Sequence, residues 1–175
     1  TNTNGKSPSA GIDVEPNSKG DVLQNISIVD AYTANNETAG ISLSLGTLTG
    51  TSTPVSITVT NHTDNGSKQG MVISGGSGII PGSIAVNNPT WTNSKTNALA
   101  VVSVDYRGFS TVINNPRVVN ANTSAKGAAI AVYNYNTAVQ LGNVAIYNPS
   151  ITDNRTSKMT TAAFYVGTTV SAKPL

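Results

Sequence analysis

The chain is 175 residues long, with 10 basic and 8 acidic residues, one histidine and no cysteine. Only 10% of residues are charged, and Glu occurs twice, which excludes helical bundles and coiled coils built on Ala, Leu, Glu and Lys. Absent cysteine excludes disulfide scaffolds and cysteine zinc sites, and a formal charge of +2 from scattered residues argues against a nucleic-acid partner. Small polar residues and glycine dominate instead: 21 Asn, 23 Thr, 19 Ser and 16 Gly, close to half of the chain. Val and Ile nevertheless recur in short clusters at low net charge, which separates the chain from disordered sequences. No stretch approaches the ~18 consecutive apolar residues of a membrane helix.

Residues 1–10 form a leading segment. From Gly11 the chain divides into Gly11–Ala39, Gly40–Gln69, Gly70–Ala98, Leu99–Gly127 and Ala128–Thr160, nearly equal in length except that the fifth is slightly longer. A partial sixth segment follows from Thr161; the repeat runs to residue 166, and 167–175 trail it. A near-constant period of this size is the mark of a solenoid. Each segment opens on an alternation of apolar and small or polar residues, beginning with Ile12-Asp13-Val14-Glu15 and then Ile41-Ser42-Leu43-Ser44. Alternation places Ile12, Val14, Ile41, Leu43, Met71, Ile73, Val102 and Ile130 on one buried face, and leaves Val72 and Val101 outside.

A second strand follows in every segment: Ile26–Asp30, Ile57–Asn61, Ile84–Asn88, Thr111–Asn115 and Val144–Asn148. Its end aligns Asp30, Asn61, Asn88, Asn115 and Asn148, with Pro directly after the last three. A third strand runs through Thr90–Thr92, Arg117–Val119 and Ser150–Thr152. Three short strands per ~29 residues, stacked in register, describe an all-β fold: a single-stranded parallel β-helix of five to six coils. Asn at a tight turn tolerates left-handed backbone, and stacked amides bond one another, so Asn61, Asn88, Asn115 and Asn148 are expected to form a ladder. A β-sandwich gives no reason to repeat Asn-Pro at a fixed offset.

These features resemble the right-handed parallel β-helix, or pectin-lyase-like, superfamily, whose hallmark is an asparagine ladder. The stretch Gly11-Ile12-Asp13-Val14-Glu15-Pro16-Asn17 is similar to one seen in bacteriophage tailspikes and related polysaccharide depolymerases. The resemblance implies a homotrimer, an extracellular or virion-tail location, and a bacterial capsular or O-antigen polysaccharide as partner. It also implies that the chain is a piece of a larger protein, since solenoids need capping elements.

The chemistry is sought among the acids. Asp13 and Glu15 are two apart on one strand, so both point outward with Cβ atoms roughly 6.5–7 Å apart. Paired carboxylates roughly 5–9.5 Å apart serve glycosidases of either stereochemistry, one as general acid and the other as base or nucleophile. The contrary reading is a solvated strand face. Asp105 is placed in an outward row three coils along, roughly 14 Å away by coil spacing, with Tyr133 in the same row one coil further. Tyr106, Arg107, Phe109 and Tyr135 stand in adjoining turns, where aromatic faces beside polar groups suit sugars.

His62 follows ladder residue Asn61 where later coils carry Pro, and is read as a turn histidine; no Gly-x-Ser-x-Gly motif supports a triad. Trp91 is read as core. Calcium prefers several carboxylates in one site and only Asp13 and Glu15 cluster, so a Ca²⁺-dependent lyase is disfavoured and no metal or cofactor is expected. The two functions carried forward are binding and hydrolysis of a surface polysaccharide, and a non-catalytic β-helical stalk or adhesin.

Overall fold

The computed structural model describes residues 9–75, 78–105, 107–136 and 142–168, among which there are sixteen strands and no helix. The first coil contributes β1 (Ile12–Val14), β2 (Ile26–Val29) and β3 (Tyr32–Ala34). The second contributes β4 (Ala39–Ser44), β5 (Val55–Thr60) and β6 (Thr63–Asn65), and the third β7 (Gln69–Ser74), β8 (Gly82–Asn87) and β9 (Thr90–Thr92). Then come β10 (Leu99–Val102), β11 (Phe109–Asn114) and β12 (Arg117–Val119), followed by β13 (Gly127–Asn134), β14 (Val144–Tyr147) and β15 (Ser150–Thr152). The last strand, β16 (Thr160–Thr168), lies over β13.

Every third strand pairs, and always in parallel. One sheet stacks β1, β4, β7, β10, β13 and β16; a second stacks β2, β5, β8, β11 and β14; a third stacks β3, β6, β9, β12 and β15. The chain is therefore a parallel β-helix of about five turns. The step between coils is not constant. In the second sheet Ile57 pairs with Ile84, Ile84 with Thr111 and Thr111 with Val144, and the last of these steps spans the most chain. The strands stay in register despite the longer step, since connection length is thermodynamically cheap and a lost register is not.

In the fourth coil the register corrects the sequence reading. Leu99 lies opposite Met71, and Val101 opposite Ile73, so Leu99 and Val101 point inward and are fully buried. Val102 belongs to the outward column, opposite Ser74, and the outer neighbour of Val72 is Ala100. The expected outward row of Val72 and Val101 does not exist. The run Ala98-Leu99-Ala100-Val101-Val102 is apolar at every position, so alternation cannot say which residues face in, and a one-residue slip exchanges the faces.

The interior is a set of columns. Ile41, Met71, Leu99 and Ile130 stack in the first sheet, and Val59, Val86 and Ile113 in the second, all with essentially no exposure. Burying each such side chain stabilises the fold by about 1.5–3 kcal/mol. The third sheet differs at its start. Its inward column reads Thr33, Asp64, Trp91, Val118 and Ile151, so polar groups occupy the core of the first two coils. Room for them comes from Gly40 and Gly70 on the facing sheet. A Cβ on Gly40 would stand 2.6 Å from Asp64 Oδ1, and one on Gly70 would stand 2.5 Å from Trp91 Cγ.

At the turn after the second sheet, Asp30, Asn61, Asn88, Asn115 and Asn148 all adopt left-handed backbone, with φ between 50° and 56°. Each amide donates to the preceding rung: Asn148 to Asn115 at 3.1 Å, Asn115 to Asn88 at 2.8 Å, Asn88 to Asn61 at 3.4 Å and Asn61 to Asp30 at 2.8 Å. A carboxylate only accepts, which suits Asp30 to the first rung. A second left-handed column follows the third sheet at Asn35, Gly66, Asn93 and Asn120, with φ of 52°, 77°, 54° and 56°.

Candidate functional site

Ile12 and Val14 pack against the core, and this directs Asp13, between them, to the outer face of the first sheet; Glu15 follows exposed. Asp13 lies opposite Ser42, which lies opposite Val72, and Val14 lies opposite Leu43, placing Glu15 beside Ser44. The two acids line a groove of about 300 Å³ together with Ser9, Ala10, Thr38, Ala39, Ser42, Ser44, Gln69 and Val72. Ser42 Oγ and Ser44 Oγ share a hydrogen bond of 3.0 Å across its floor. The walls thus offer two carboxylates, four hydroxyls and one carboxamide, a donor and acceptor set that matches the hydroxyls of a glycan.

The other sequence-derived candidates do not join this groove. Asp105 is not in an outward row: its side chain has no exposure, and Arg107 closes over it. The Arg107 backbone N–H and Nε donate to Asp105 Oδ1 at 2.9 and 2.8 Å, and Nη2 donates to Oδ2 at 2.7 Å. The same Asp-x-Arg turn recurs at Asp153 and Arg155, with Nε to Oδ1 at 2.8 Å and Nη2 to Oδ2 at 2.6 Å. There the guanidinium, with the Met159 and Thr160 N–H groups, holds the Asp153 carboxyl well below the usual carboxylate range. A bidentate guanidinium is the strongest partner a carboxylate finds, which explains why Asp105 turns inward instead of lining a surface. Tyr106 lies outside the described residues.

Tyr133 is opposite Val102, not in a row with Asp105. It belongs to the outward column of Ser44, Ser74 and Val102, the column that Glu15 extends. Four coil spacings separate Glu15 from Tyr133, or roughly 19 Å. Tyr133 is half-buried and Tyr135 exposed, with ring centroids 6.3 Å apart and planes tilted by 46°. Burial, with Tyr135 adding to it, raises the Tyr133 hydroxyl pKa, so it is a neutral donor at physiological pH. Tyr133 lines a second groove of about 490 Å³ with Asn97, Ala131, Phe164 and Tyr165. Acids and tyrosines therefore share the outer face of one sheet, but occupy grooves at its two ends.

His62 is more than a turn residue. It is fully buried and bonded to Thr33 and Trp91, with Asp64 and Ser67 close by. This cluster follows from continuing the third-strand alignment back to the first two coils, which puts Thr33 and Asp64 in the Trp91 column.

No family model, no curated protein sequence and no solved structure matches this chain.

Proposed function

We propose that the outer face of the first sheet binds a bacterial surface polysaccharide, capsular or O-antigen, and hydrolyses it in the manner of a tailspike, in an extracellular or virion-tail setting and as a homotrimer. The observation that carries this reading is the placement of Asp13 and Glu15 together in a groove otherwise walled by hydroxyl and amide groups. One carboxyl protonates the leaving glycosidic oxygen, and the other activates water or attacks the anomeric carbon. The Glu15 column leads along the sheet to Tyr133, a span of roughly 19 Å that suits a run of sugars better than a single one. The tyrosine rings would then take the apolar C–H faces of distant residues of the polymer.

A second reading, a non-catalytic stalk or adhesin, is favoured by one observation: Asp105, the acid expected to line the same face, is sequestered by Arg107. Reducing-end release from a panel of capsular and O-antigen polysaccharides separates the two. Asp13→Asn and Glu15→Gln are each expected to lower cleavage by about 10²–10⁴-fold while binding persists. Cleavage unchanged in both variants overturns the catalytic reading; polymer bound but never cut by the parent chain supports the stalk or adhesin.

A further inference from the structure

Three successive coils meet inside the solenoid through a chain of polar side chains with no more than 1% exposure. They are Thr33 on β3, Asp64 on β6, Trp91 on β9, His62 just before β6 and Ser67 just after it. The direction of every bond in this chain is set from one end. The indole N–H of Trp91 can only donate, and it donates to His62 Nδ1 at 3.2 Å. The neutral ring therefore carries its proton on Nε2, which lies 2.8 Å from Thr33 Oγ1. Having accepted from the ring, the Thr33 hydroxyl gives its own proton to Asp64 Oδ1 at 2.8 Å. Ser67 Oγ donates to the same oxygen at 2.6 Å, and the Asn36 backbone and side-chain N–H groups donate to Ser67 Oγ at 3.0 Å.

A fully buried Thr, His and Asp have no access to a substrate, so the arrangement is not a catalytic triad. It does have one weakness. A second proton on His62 can go only to Nδ1, where it would point at the Trp91 N–H. Two donors would then face each other at hydrogen-bond distance, with a charge buried between them. The titratable group facing His62 across the chain is Asp64, through Thr33; the elements bearing Trp91, Ser67 and Asn36 present neutral groups.

We propose that the Trp91–His62–Thr33–Asp64 chain is an acid-sensitive clasp that holds the first three coils together at neutral pH and releases them when His62 is protonated. Burial lowers the His62 pKa from 6.5 to about 4. The unfolded chain then takes up the proton as pH falls through 6.5, while the folded chain resists it until about pH 4. The stabilisation is complete above pH 6.5 and is lost progressively toward pH 4. Asp64 works the other way: burial raises its pKa, so its contribution is present at low pH and is lost as pH rises through that raised value. A comparison at fixed Asp64 isolates the histidine.

The test is urea unfolding at pH 7.5 and pH 4.5, followed by the fluorescence of Trp91, the only tryptophan, in the parent chain and in His62→Gln. Glutamine accepts from the indole and donates to Thr33 without titrating. The folding equilibrium of the parent is expected to fall on the order of 100-fold more than that of the variant across this interval. Equal pH dependence in the two chains overturns the proposal. Should His62→Gln not fold, ¹⁵N NMR of the parent's single imidazole decides. The Nε2–H tautomer, still neutral at pH 5.5, supports the clasp; an Nδ1–H tautomer, or a ring titrating near 6.5, overturns it.

Discussion

Gly70→Ala adds one methyl group at the point where the first sheet faces the indole of Trp91. The new Cβ would stand 2.5 Å from Trp91 Cγ and 2.8 Å from the Ala98 carbonyl oxygen, with Cδ1 closer still. Carbon atoms prefer about 3.5–4.0 Å, so something must move by roughly 1 Å. The carbonyl cannot give way, because Ala98 O accepts the Met71 N–H in the ladder at 2.9 Å. The indole is fully buried and tied to His62, so displacing it also strains that 3.2 Å bond. Overpacking costs about 1–3 kcal/mol and a weakened buried hydrogen bond about 1 kcal/mol more. The unfolded-state gain of replacing glycine returns up to about 1 kcal/mol, leaving a net loss of about 1–3 kcal/mol. Gly78→Ala is the matched control: nothing lies within 4 Å of its Cβ position and its φ is not left-handed. Urea titration with Trp91 fluorescence should show Gly70→Ala at a clearly lower midpoint and Gly78→Ala at or slightly above the parent's. Gly70→Ala within about 0.5 kcal/mol of the parent would refute the argument that these glycines exist to admit the Thr33–Asp64–Trp91 column.

Two further outcomes follow from the turns. Asn115 donates one rung bond, accepts another and sits at φ 53°; Asn115→Ala should therefore destabilise the fold by about 1 kcal/mol more than Asn115→Gly, which keeps the left-handed turn. Equal losses in chemical denaturation would show that the amide stack alone sets the rung. Asp153→Asn should lower the unfolding midpoint at pH 7. Because the folded carboxyl is held below its ordinary 3.8, its contribution is present above that value and is lost as pH falls below it. The gap between parent and variant should therefore shrink in acid melts, and a gap independent of pH would assign the turn to packing instead of charge.

The ladder and the clasp mark where local chemistry ends. The coil repeat, the three strands per coil and the left-handed Asn turn were all legible from spacing, because strand alternation and the φ tolerance of Asn are properties of neighbouring residues. The fold class follows from these alone. Asp13 and Glu15 were legible as an outward pair for the same reason, since Ile12 and Val14 alternate with them. Their groove was not, because its walls come from Thr38, Ser42 and Gln69 on the next two coils.

The face taken by Val101, the burial of Asp105 and the linkage of His62 to Thr33 and Trp91 required the tertiary structure. In residues 98–102 both faces are apolar, and only pairing with Met71 and Ile73 decides the register. Asp105 looks like a surface acid until Arg107, two residues on, folds back over it. The partners of His62 lie 29 residues before and after it, but Asp64, not His62, holds the matching place in their column, so position along the chain does not turn the ring toward them. The sequence by itself determined a column-forming solenoid, because its code is local and repeats; which polar residues those columns bury, and which they leave open to a ligand, depended on contacts between coils.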